Sequence, residues 1–322
     1  MFIKSFKISL FVFTLLLIGC SQEPAQTTKK IPAQFKADRI FVQPVTDSGF
    51  KLTLYTDTGG GANMLFKNTV EKLGLKTESL RMGKNAVLMV PFPKFKPGNS
   101  IPTPLNKPPF GENMYVPGNS QVEINGADGF LGRTWFAGKI WELDYAGKSV
   151  GVMDSVRTPD IDKSHLVQLG FQKDTSGNKT TFFPRLTAEI DGDTLNFLFD
   201  TGAQVSLKDS AYNSLNDGQP QERGTSFIVK TIFEKWKKNH PDWKVVENAD
   251  KVLNMPMIEV PKVSVGGYNV GPVWFTMRPD NNFYNFMSRW MDKQVDGALG
   301  GSTFHYFKII LNYPGEYAIF TK

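Results

Sequence analysis

The feature that most constrains the fold of this chain is an internal repeat. KLTLYTDTG at 51–59 aligns without gaps with TLNFLFDTG at 194–202, at an offset of 143 residues. A second pair, ADGFLG at 127–132 and VDGALG at 295–300, aligns at an offset of 168. This second match continues: Phe136, Leu143, Tyr145 and Gly147 face Phe304, Leu311, Tyr313 and Gly315. Two copies of one unit in 322 residues predict two similar lobes related by an approximate twofold axis.

Each half has the same order of elements: a strand ending in Asp-Thr-Gly, a variable middle, then Asp-Gly-x-Leu-Gly and a strand pair. Short apolar segments alternate with polar residues and are interrupted by glycines and prolines, which is typical of β structure. Helical pattern is confined to 68–75 and to an amphipathic stretch at 226–239, which Pro241 ends. The offsets differ by 25 residues, and we expect 226–239 to account for most of this insertion. The pattern predicts a mainly β protein with a few short helices.

Asp-Thr-Gly alone is a weak signal, because it is also good turn chemistry at a strand end. Two copies, each followed by the same Leu-Gly element, are far more specific. The sequence resembles the aspartic proteases, the pepsin and retropepsin group, in YTDTGG (55–60) with FLG (130–132) and in LFDTGA (198–203) with ALG (298–300). The resemblance covers about 39–320 and implies a bilobal pepsin-like fold. The segments around Asp200 and after Gly300 are more similar to retropepsin, whereas the duplicated single chain is similar to pepsin.

The resemblance implies that Asp57 and Asp200 form a catalytic dyad. Two carboxylates held a few ångströms apart cannot both ionise cheaply, so such a pair holds one proton. A water between them would lose a proton to the ionised carboxyl while the protonated carboxyl hydrogen-bonds the scissile carbonyl. This chemistry needs neither a metal nor a cofactor. The apparent pKa values belong to the pair, so acid and base are not assigned to single residues.

The resemblance also implies a set of residues that support the dyad: Thr58, Gly59, Gly132, Thr201, Gly202 and Gly300. The two threonines would brace the loops across the interface, and the apolar-apolar-Gly strands would back them. A glycine after Asp-Thr lets the backbone approach the carboxylate, where a side chain would intrude.

Three departures from the family pattern qualify the resemblance. Gly60 and Ala203 stand where pepsins carry a hydroxyl that donates to the catalytic carboxylate. Removing a donor to the charged form raises a pKa, so we expect a mildly acidic to near-neutral optimum. Thr56 replaces the usual apolar residue before Asp57. No flap is identifiable: Tyr115 sits late for a flap tyrosine, and the Pro- and Gly-rich loop stretch at 89–117 is the candidate cleft cover.

The N-terminus has the pattern of a secretory signal. Lys4 and Lys7 precede an apolar run at 8–18, which is about half the length needed to span a bilayer. The ending LIGC at 17–20 resembles the bacterial lipobox, in which Cys20 is lipidated; an ordinary signal peptide with a chance cysteine is the alternative. We expect a signal peptide at 1–19 and a lipidated polar tether at 20–38.

Ser21 after the cysteine resembles outer-membrane sorting, so we expect an envelope protein on the periplasmic face of the outer membrane. Little room remains before 39 for an inhibitory segment, so no processing beyond signal removal is expected.

Other classes of site find little support. One cysteine makes neither an intramolecular disulfide nor a cysteine-ligated zinc or iron–sulfur site. His165, His240 and His305 are scattered, and no nucleophile-elbow, dinucleotide-binding or Walker A motif is present. The net charge of +6 falls to +4 once Lys4 and Lys7 leave with the signal peptide, which is too mild to indicate nucleic acid. The 226–239 helix could lie on a membrane or a partner, but packing on the second lobe is favoured. A group of aromatic residues is expected in the core or the cleft wall: Trp274, Phe283, Phe286 and Trp290.

The resulting interpretation is a monomeric, lipid-anchored aspartic endopeptidase with β lobes at 39–158 and 159–322. Its cleft would bind an extended polypeptide like an added strand. The alternative from another class is a catalytically inactive envelope protein that binds extended peptides in the same cleft.

Overall fold

The structure is a computed structural model that describes residues 27–118, 124, 126–157 and 162–322. The predicted signal peptide at 1–19 and Cys20 lie outside the described residues. The predicted lobe boundary at 158/159 also lies outside them.

The elements of the first half come in this order: β1 (Thr28–Ile31), β2 (Ala33–Lys36), β3 (Arg39–Val42), β4 (Leu54–Thr56), β5 (Met64–Leu65), α1 (Lys67–Lys72), β6 (Glu78–Met82), β7 (Asn85–Val90), β8 (Met114–Val116), β9 (Gly129–Leu131), α2 (Arg133–Phe136), β10 (Ile140–Asp144) and β11 (Ser149–Met153).

The elements of the second half are β12 (Leu166–Gln168), β13 (Arg185–Ile190), β14 (Asp193–Phe199), β15 (Gln204–Ser206), α3 (Asp209–Leu215), β16 (Glu222–Gly224), β17 (Ser226–Val229), α4 (Lys230–Asn239), β18 (Val245–Val246), β19 (Met257–Val260), β20 (Val263–Val265), β21 (Tyr268–Val270), β22 (Val273–Arg278), β23 (Gly297–Leu299), α5 (Gly301–Phe304), β24 (Lys308–Asn312) and β25 (Tyr317–Thr321). Short 3₁₀ turns cover Lys163–His165 and Met287–Trp290, and a π-helical turn covers Asn281–Phe286.

Each lobe is built on one large sheet. The first lobe has the strand order β2-β3-β4-β9-β5-β8-β7-β6, and the second has β18-β19-β22-β17-β23-β14-β13-β20-β21. In the first lobe β4 runs parallel to β9, β9 antiparallel to β5, and β5 parallel to β8. In the second lobe β14, β23, β17 and β22 repeat these three pairings in the same senses. The two halves of the sequence repeat therefore share one connectivity.

A third, six-stranded sheet joins the lobes in the order β1-β11-β10-β24-β25-β12. At its centre β10 and β24 pair antiparallel, with Glu142 opposite Ile310. These two residues are also equivalent positions of the repeat, at the offset of 168. The pairing is therefore symmetric, and the approximate twofold axis passes between Glu142 and Ile310. The expected fold class, mainly β with two twofold-related lobes and a few short helices, is confirmed.

The prediction of a tether at 20–38 is wrong for its second part. β1 pairs with β11 along its whole length, and β2 pairs with β3. Ile31 at the end of β1 is buried. The segment is polar because most of its side chains face solvent, while backbone hydrogen bonds to two sheets order it.

The stretch predicted as one helix at 226–239 begins with a short strand. Ser226–Val229 forms β17 in the interior of the second-lobe sheet, and α4 follows at Lys230–Asn239. Its apolar side chains Ile232, Phe233 and Trp236 are buried, as the packing interpretation expected. The helix expected at 68–75 is α1, at Lys67–Lys72.

The additional residues of the second half do not lie in α4, contrary to expectation. α4 follows β17 as α1 follows β5, so the two helices are equivalent. The insertion lies mainly between the second Asp-Thr-Gly and β17, where β15, α3 and β16 form a hairpin interrupted by a helix. This unit has a small core of its own, to which Val205, Leu207 and Leu215 contribute.

Of the four aromatic residues expected in the core or cleft wall, two are exposed. Phe283 is buried, and Trp274 packs against the core of the insertion. Phe286 and Trp290 are 58% and 45% exposed and are not core residues. In the part of the chain that the structure describes, no helix combines the length and apolar character needed to cross a membrane.

Candidate active site

Asp57 and Asp200 occupy equivalent places at the ends of β4 and β14. The backbone N–H of Asp57 donates to the carbonyl of Leu131, and that of Asp200 to the carbonyl of Leu299, both at 2.9 Å. β9 and β23 thus back the two loops, as the repeated Leu-Gly elements predicted.

The two loops interlock so closely that each carboxyl lies against the glycine of the other loop. A Cβ placed on Gly59 would lie 2.7 Å from Cγ of Asp200. A Cβ placed on Gly202 would overlap Cγ of Asp57 and lie 2.5 Å from its Cβ. Any side chain at either position would push the carboxyls apart, so the geometry requires glycine at both. The structure therefore brings Asp57 and Asp200 together at the interface of the lobes.

The two threonines form a reciprocal set of buried hydrogen bonds. The N–H of Thr58 donates to Oγ1 of Thr201 at 3.1 Å, and the N–H of Thr201 donates to Oγ1 of Thr58 at 3.0 Å. Each hydroxyl then donates to the opposite strand: Thr58 to the carbonyl of Phe199, and Thr201 to that of Thr56. Since every one of these bonds crosses between the lobes, they fix the relative position of the two aspartates.

Gly132 and Gly300 allow the backing strands to approach the loops. A Cβ on Gly132 would lie 3.0 Å from the carbonyl oxygens of Gly60 and Ala62. A Cβ on Gly300 would overlap the carbonyl oxygen of Thr225 and lie 2.6 Å from Cβ of Ala203. The structure places both glycines directly behind the dyad loops.

Sequence reasoning missed a further cross-lobe contact made by Tyr55. Its buried hydroxyl donates to the carbonyl of Gly202 at 3.0 Å. Leu198 holds the equivalent position of the repeat, so this contact has no counterpart in the other direction. The sequence did carry a signal for this contact: Tyr55 stands among the apolar residues of β4, and a buried tyrosine needs a hydrogen-bond partner.

Sequence reasoning also missed the role of the aspartate in Asp-Gly-x-Leu-Gly. Asp128 accepts a hydrogen bond from the N–H of Thr53 at 2.8 Å, and Asp296 accepts one from the N–H of Asn196 at 2.9 Å. The two acceptors and the two donors are equivalent positions of the repeat. Each carboxylate clamps the strand that leads to a dyad aspartate, four residues before it.

The pKa values of both aspartates are raised. Burial raises the pKa of Asp57 well above its ordinary value, and the charge of Asp200 and a hydrogen bond with it raise it further. Burial also raises the pKa of Asp200, against opposing hydrogen bonds from Asp57 and from the backbone of Gly202 and Ala203. Oδ1 of Asp57 is buried and has no hydrogen-bond donor among the described residues. The pair thus keeps a proton to higher pH than ordinary carboxyls do.

Phe130 explains the absence of a hydroxyl at position 60. A Cβ on Gly60 would overlap the tip of the Phe130 ring and would lie 3.1 Å from Cγ of Asp57. The ring therefore occupies the place from which a serine side chain would reach the carboxylate. Thr56, the other departure in this motif, donates its buried hydroxyl to the carbonyl of Ile40 in β3.

The candidate cleft cover at 89–117 includes β8, so it is not entirely loop. Tyr115 lies in β8, where its N–H donates to the carbonyl of Asn63. Its ring is partly buried and lies 6.5 Å from that of Phe110. A covering role for this segment stays a prediction. The described residues contain no group of three or more His, Cys, Asp and Glu side chains placed to hold a metal ion.

Comparison with known proteins found likenesses at the level of the solved structures. No family model matches the chain, and no curated protein matches it. Among solved structures, the aspartic proteinase from Irpex lacteus matches with a TM-score of 0.48 and 10% sequence identity. The match covers 92% of this chain and 97% of that chain. At this identity no activity transfers between the two proteins.

Proposed function

We propose that this protein is an aspartic endopeptidase that hydrolyses peptide bonds with a water molecule activated between Asp57 and Asp200. The observation that carries the proposal is the interlocking of the two loops, in which each aspartate lies against the glycine of the opposite Asp-Thr-Gly. If each aspartate were only a turn residue at a strand end, the fold would not need to bring the two carboxyls into contact. The cross-lobe hydrogen bonds of Thr58 and Thr201 hold the pair in place.

In the proposed reaction the pair carries one proton. The water oxygen attacks the scissile carbonyl carbon while the ionised carboxyl accepts a proton from the water. The protonated carboxyl donates a hydrogen bond to the carbonyl oxygen. The resulting tetrahedral species loses the amine when the C–N bond breaks and the nitrogen takes a proton from the pair. The products are a carboxylic acid and an amine, and the dyad returns with one proton.

The raised pKa values set the expected pH range. Activity requires the singly protonated pair, so it falls when the pair loses its last proton. Burial of both carboxyls and the charge of Asp200 beside Asp57 move that loss to higher pH. The absent hydroxyl donors at Gly60 and Ala203 act in the same direction. An optimum from mildly acidic to near-neutral pH follows.

The proposal is tested by digesting an unfolded protein over a series of pH values. Asp57→Asn and Asp200→Asn should each lower the rate by about 10²–10⁴-fold, the typical contribution of general acid–base catalysis. Asp242→Asn, at an exposed aspartate, is the matched control and should cleave like wild type. Pepstatin should inhibit the wild type. Equal inertness of wild type and both dyad variants would instead support a peptide-binding protein without activity.

We also propose that the chain is anchored to the cell envelope by lipid on Cys20, on the periplasmic face of the outer membrane. The support is the lipobox-like ending at 17–20. β1 begins eight positions after Cys20, and an extended chain spans at most ~3.5 Å per residue, so the folded part would begin within about 28 Å of the anchor. Wild type should incorporate labelled palmitate and fractionate with membranes, whereas Cys20→Ala should do neither. Wild type that incorporates no labelled palmitate would contradict the proposed anchor.

A further inference from the structure

We propose that a cavity beside the Asp57 loop is a substrate subsite that binds a carboxylate, and that Arg133 and Lys107 select for it. The inference rests on the proposed function, because it requires that peptides bind in the cleft. It adds what that function leaves open, namely a chemical class of substrate.

The cavity has a volume of about 80 Å³ and lies at the junction of the two halves. The first half contributes the stretch 61–63, the turn 107–111 and the first residues of α2. The second half contributes Thr180 and Phe182. A space of this size suits a small polar group.

The cavity adjoins the dyad loop directly. The N–H of Gly60 donates to the carbonyl of Asp57 at 3.1 Å, and the N–H of Arg133 donates to the carbonyl of Gly60, also at 3.1 Å. Gly61, the next residue of the loop, already lines the cavity. A peptide whose scissile bond lies at the dyad would therefore place a nearby side chain or its terminus here.

The charge lining the cavity is entirely positive. Lys107 and Arg133 line it, and no acidic residue does. The exposed Asp174 is within electrostatic reach of Lys107 but is not part of the lining. The wall therefore favours an anionic group over a neutral one.

Arg133 differs from four other arginines of this protein that are buried or largely buried. Arg39, Arg185, Arg223 and Arg278 each form an ion pair with a carboxylate. Arg133, which is partly buried, instead donates to the carbonyl of Gly61 at 2.5 Å and lies 4.5 Å from the ring centre of Phe183. It has no carboxylate partner in the described parts of the chain. Burial lowers its pKa, because desolvation disfavours the charged form.

Lys107 is held in a similar way. Its ammonium donates to the carbonyls of Lys179 and Thr180 at 2.8 and 3.2 Å and lies 4.6 Å from the ring centre of Phe182. Carbonyl oxygens and ring faces fix both cations without neutralising them. A planar carboxylate that enters the cavity would complete these sites, and guanidinium groups bind such a ligand with paired hydrogen bonds.

The carboxylate has two possible sources in a peptide: an Asp or Glu side chain, or the free C-terminus. Cleavage sites in an unfolded protein are first mapped by mass spectrometry, and synthetic peptides are then made around one site. In one pair, the position at which acidic residues are most frequent among the cleaved sites carries Glu in one peptide and Gln in the other. In the second pair, one peptide has a free C-terminal carboxylate and the other an amidated C-terminus. The preferred carboxylate should raise kcat/KM about 10- to 100-fold, the range expected for hydrogen bonds to a charged group.

Variants assign the preference to the cavity. Arg133→Gln and Lys107→Gln should each move the ratio of kcat/KM between paired peptides towards one, and Arg133→Lys should retain part of it. Because both peptides are measured on the same protein, a general loss of stability does not change the ratio. Lys262→Gln, at an exposed lysine of the second lobe, removes the same charge and should leave the ratio unchanged.

Binding of the same peptides to Asp57→Asn, measured by fluorescence anisotropy, separates this proposal from the peptidase proposal. Cleavage without a preference for either carboxylate would overturn the subsite and leave the peptidase standing. If wild type cleaves no site, the peptide pairs are taken around a glutamate and at the C-terminus of the same unfolded protein; tighter binding of their carboxylate forms would then support the subsite and overturn the peptidase. If the peptides are neither bound nor cleaved, both proposals are overturned.

Discussion

Phe130 determines which residue can stand at position 60 and thereby removes one hydrogen-bond donor from Asp57. Its ring fills the space next to Gly60 and lies 6.0 Å from the ring of Tyr55. Gly60→Ser alone should therefore destabilise the protein by about 1–3 kcal/mol, the usual cost of overpacking, as measured by chemical denaturation.

The double variant Gly60→Ser with Phe130→Val should accept the serine and bring a hydroxyl to Asp57. A donor to the charged form lowers the pKa of the pair, so the upper limb of the pH–rate profile should move down by about one pH unit. Phe130→Val alone is the control. An upper limb that coincides in the two variants would show that the hydroxyl does not reach the dyad.

The dyad should cost the protein stability at neutral pH. The folded-state pKa of Asp57 is raised above the unfolded value, so the folded state binds more protons and stability is lost as pH rises through the folded pKa. Asp57→Asn removes this loss and should raise Tm at pH 7, by about 2–4 °C for each kcal/mol regained. Near pH 3, below both pKa values, the two proteins should melt together. Calorimetry that finds Asp57→Asn less stable at pH 7 would contradict the direction of the pKa shift.

The site residues that could be predicted from the sequence are those that the Asp-Thr-Gly motif itself requires. The pairing of Asp57 with Asp200 and the need for Gly59 and Gly202 follow from the repeat and the resemblance. The cross-lobe bond of Tyr55 and the obstruction by Phe130 did not, because both depend on which side chains meet across strands distant in sequence.

The two Asp-Thr-Gly loops act as one element joined by the threonines. Thr58→Val keeps the shape of the side chain but leaves the buried N–H of Thr201 without its acceptor, at a cost of about 1–3 kcal/mol. We expect lower Tm and lower kcat, since the carboxyls are no longer held in register. Thr58→Ser keeps the hydroxyl and should retain most activity. If the valine and serine variants were equally active, the threonine bonds would not position the dyad.

Elements with a clear period were predicted better than those ordered by their neighbours. The apolar alternation before each Asp-Thr-Gly gave β4 and β14, whereas the polar residues of β1 and β2 carry no such pattern. The 226–239 stretch has helical spacing, yet Ser226–Val229 joins the sheet between β22 and β23. Burial in the centre of the sheet makes this segment a strand, and periodicity does not show such a tertiary effect.

At the scale of the whole molecule, the two lobes are also joined at the symmetric pairing of β10 and β24. Glu142 at this centre is buried and is contacted by Lys30 and Lys308, from β1 and β24. Burial alone would raise its pKa, but the hydrogen bonds and charges of the two lysines hold its pKa below the ordinary value.

Glu142→Gln should therefore destabilise the protein above the ordinary carboxyl pKa, by about 1 kcal/mol for pairs with half-exposed lysines. A lowered folded-state pKa gives stability at neutral pH that is lost as pH falls through that pKa, so the difference from wild type should vanish in acid. Thermal unfolding from pH 3 to pH 7 measures this. A difference that does not change with pH would assign the effect to packing.

The most direct test of the central claim, that Asp57 and Asp200 act as one catalytic unit, is the kcat/KM of both single Asn variants and of the double variant on one cleaved peptide. Groups that share one proton cannot contribute independently, so each single variant should lose about as much as the double variant. Losses that add from the single to the double variant, or a single variant as active as wild type, would contradict a shared dyad.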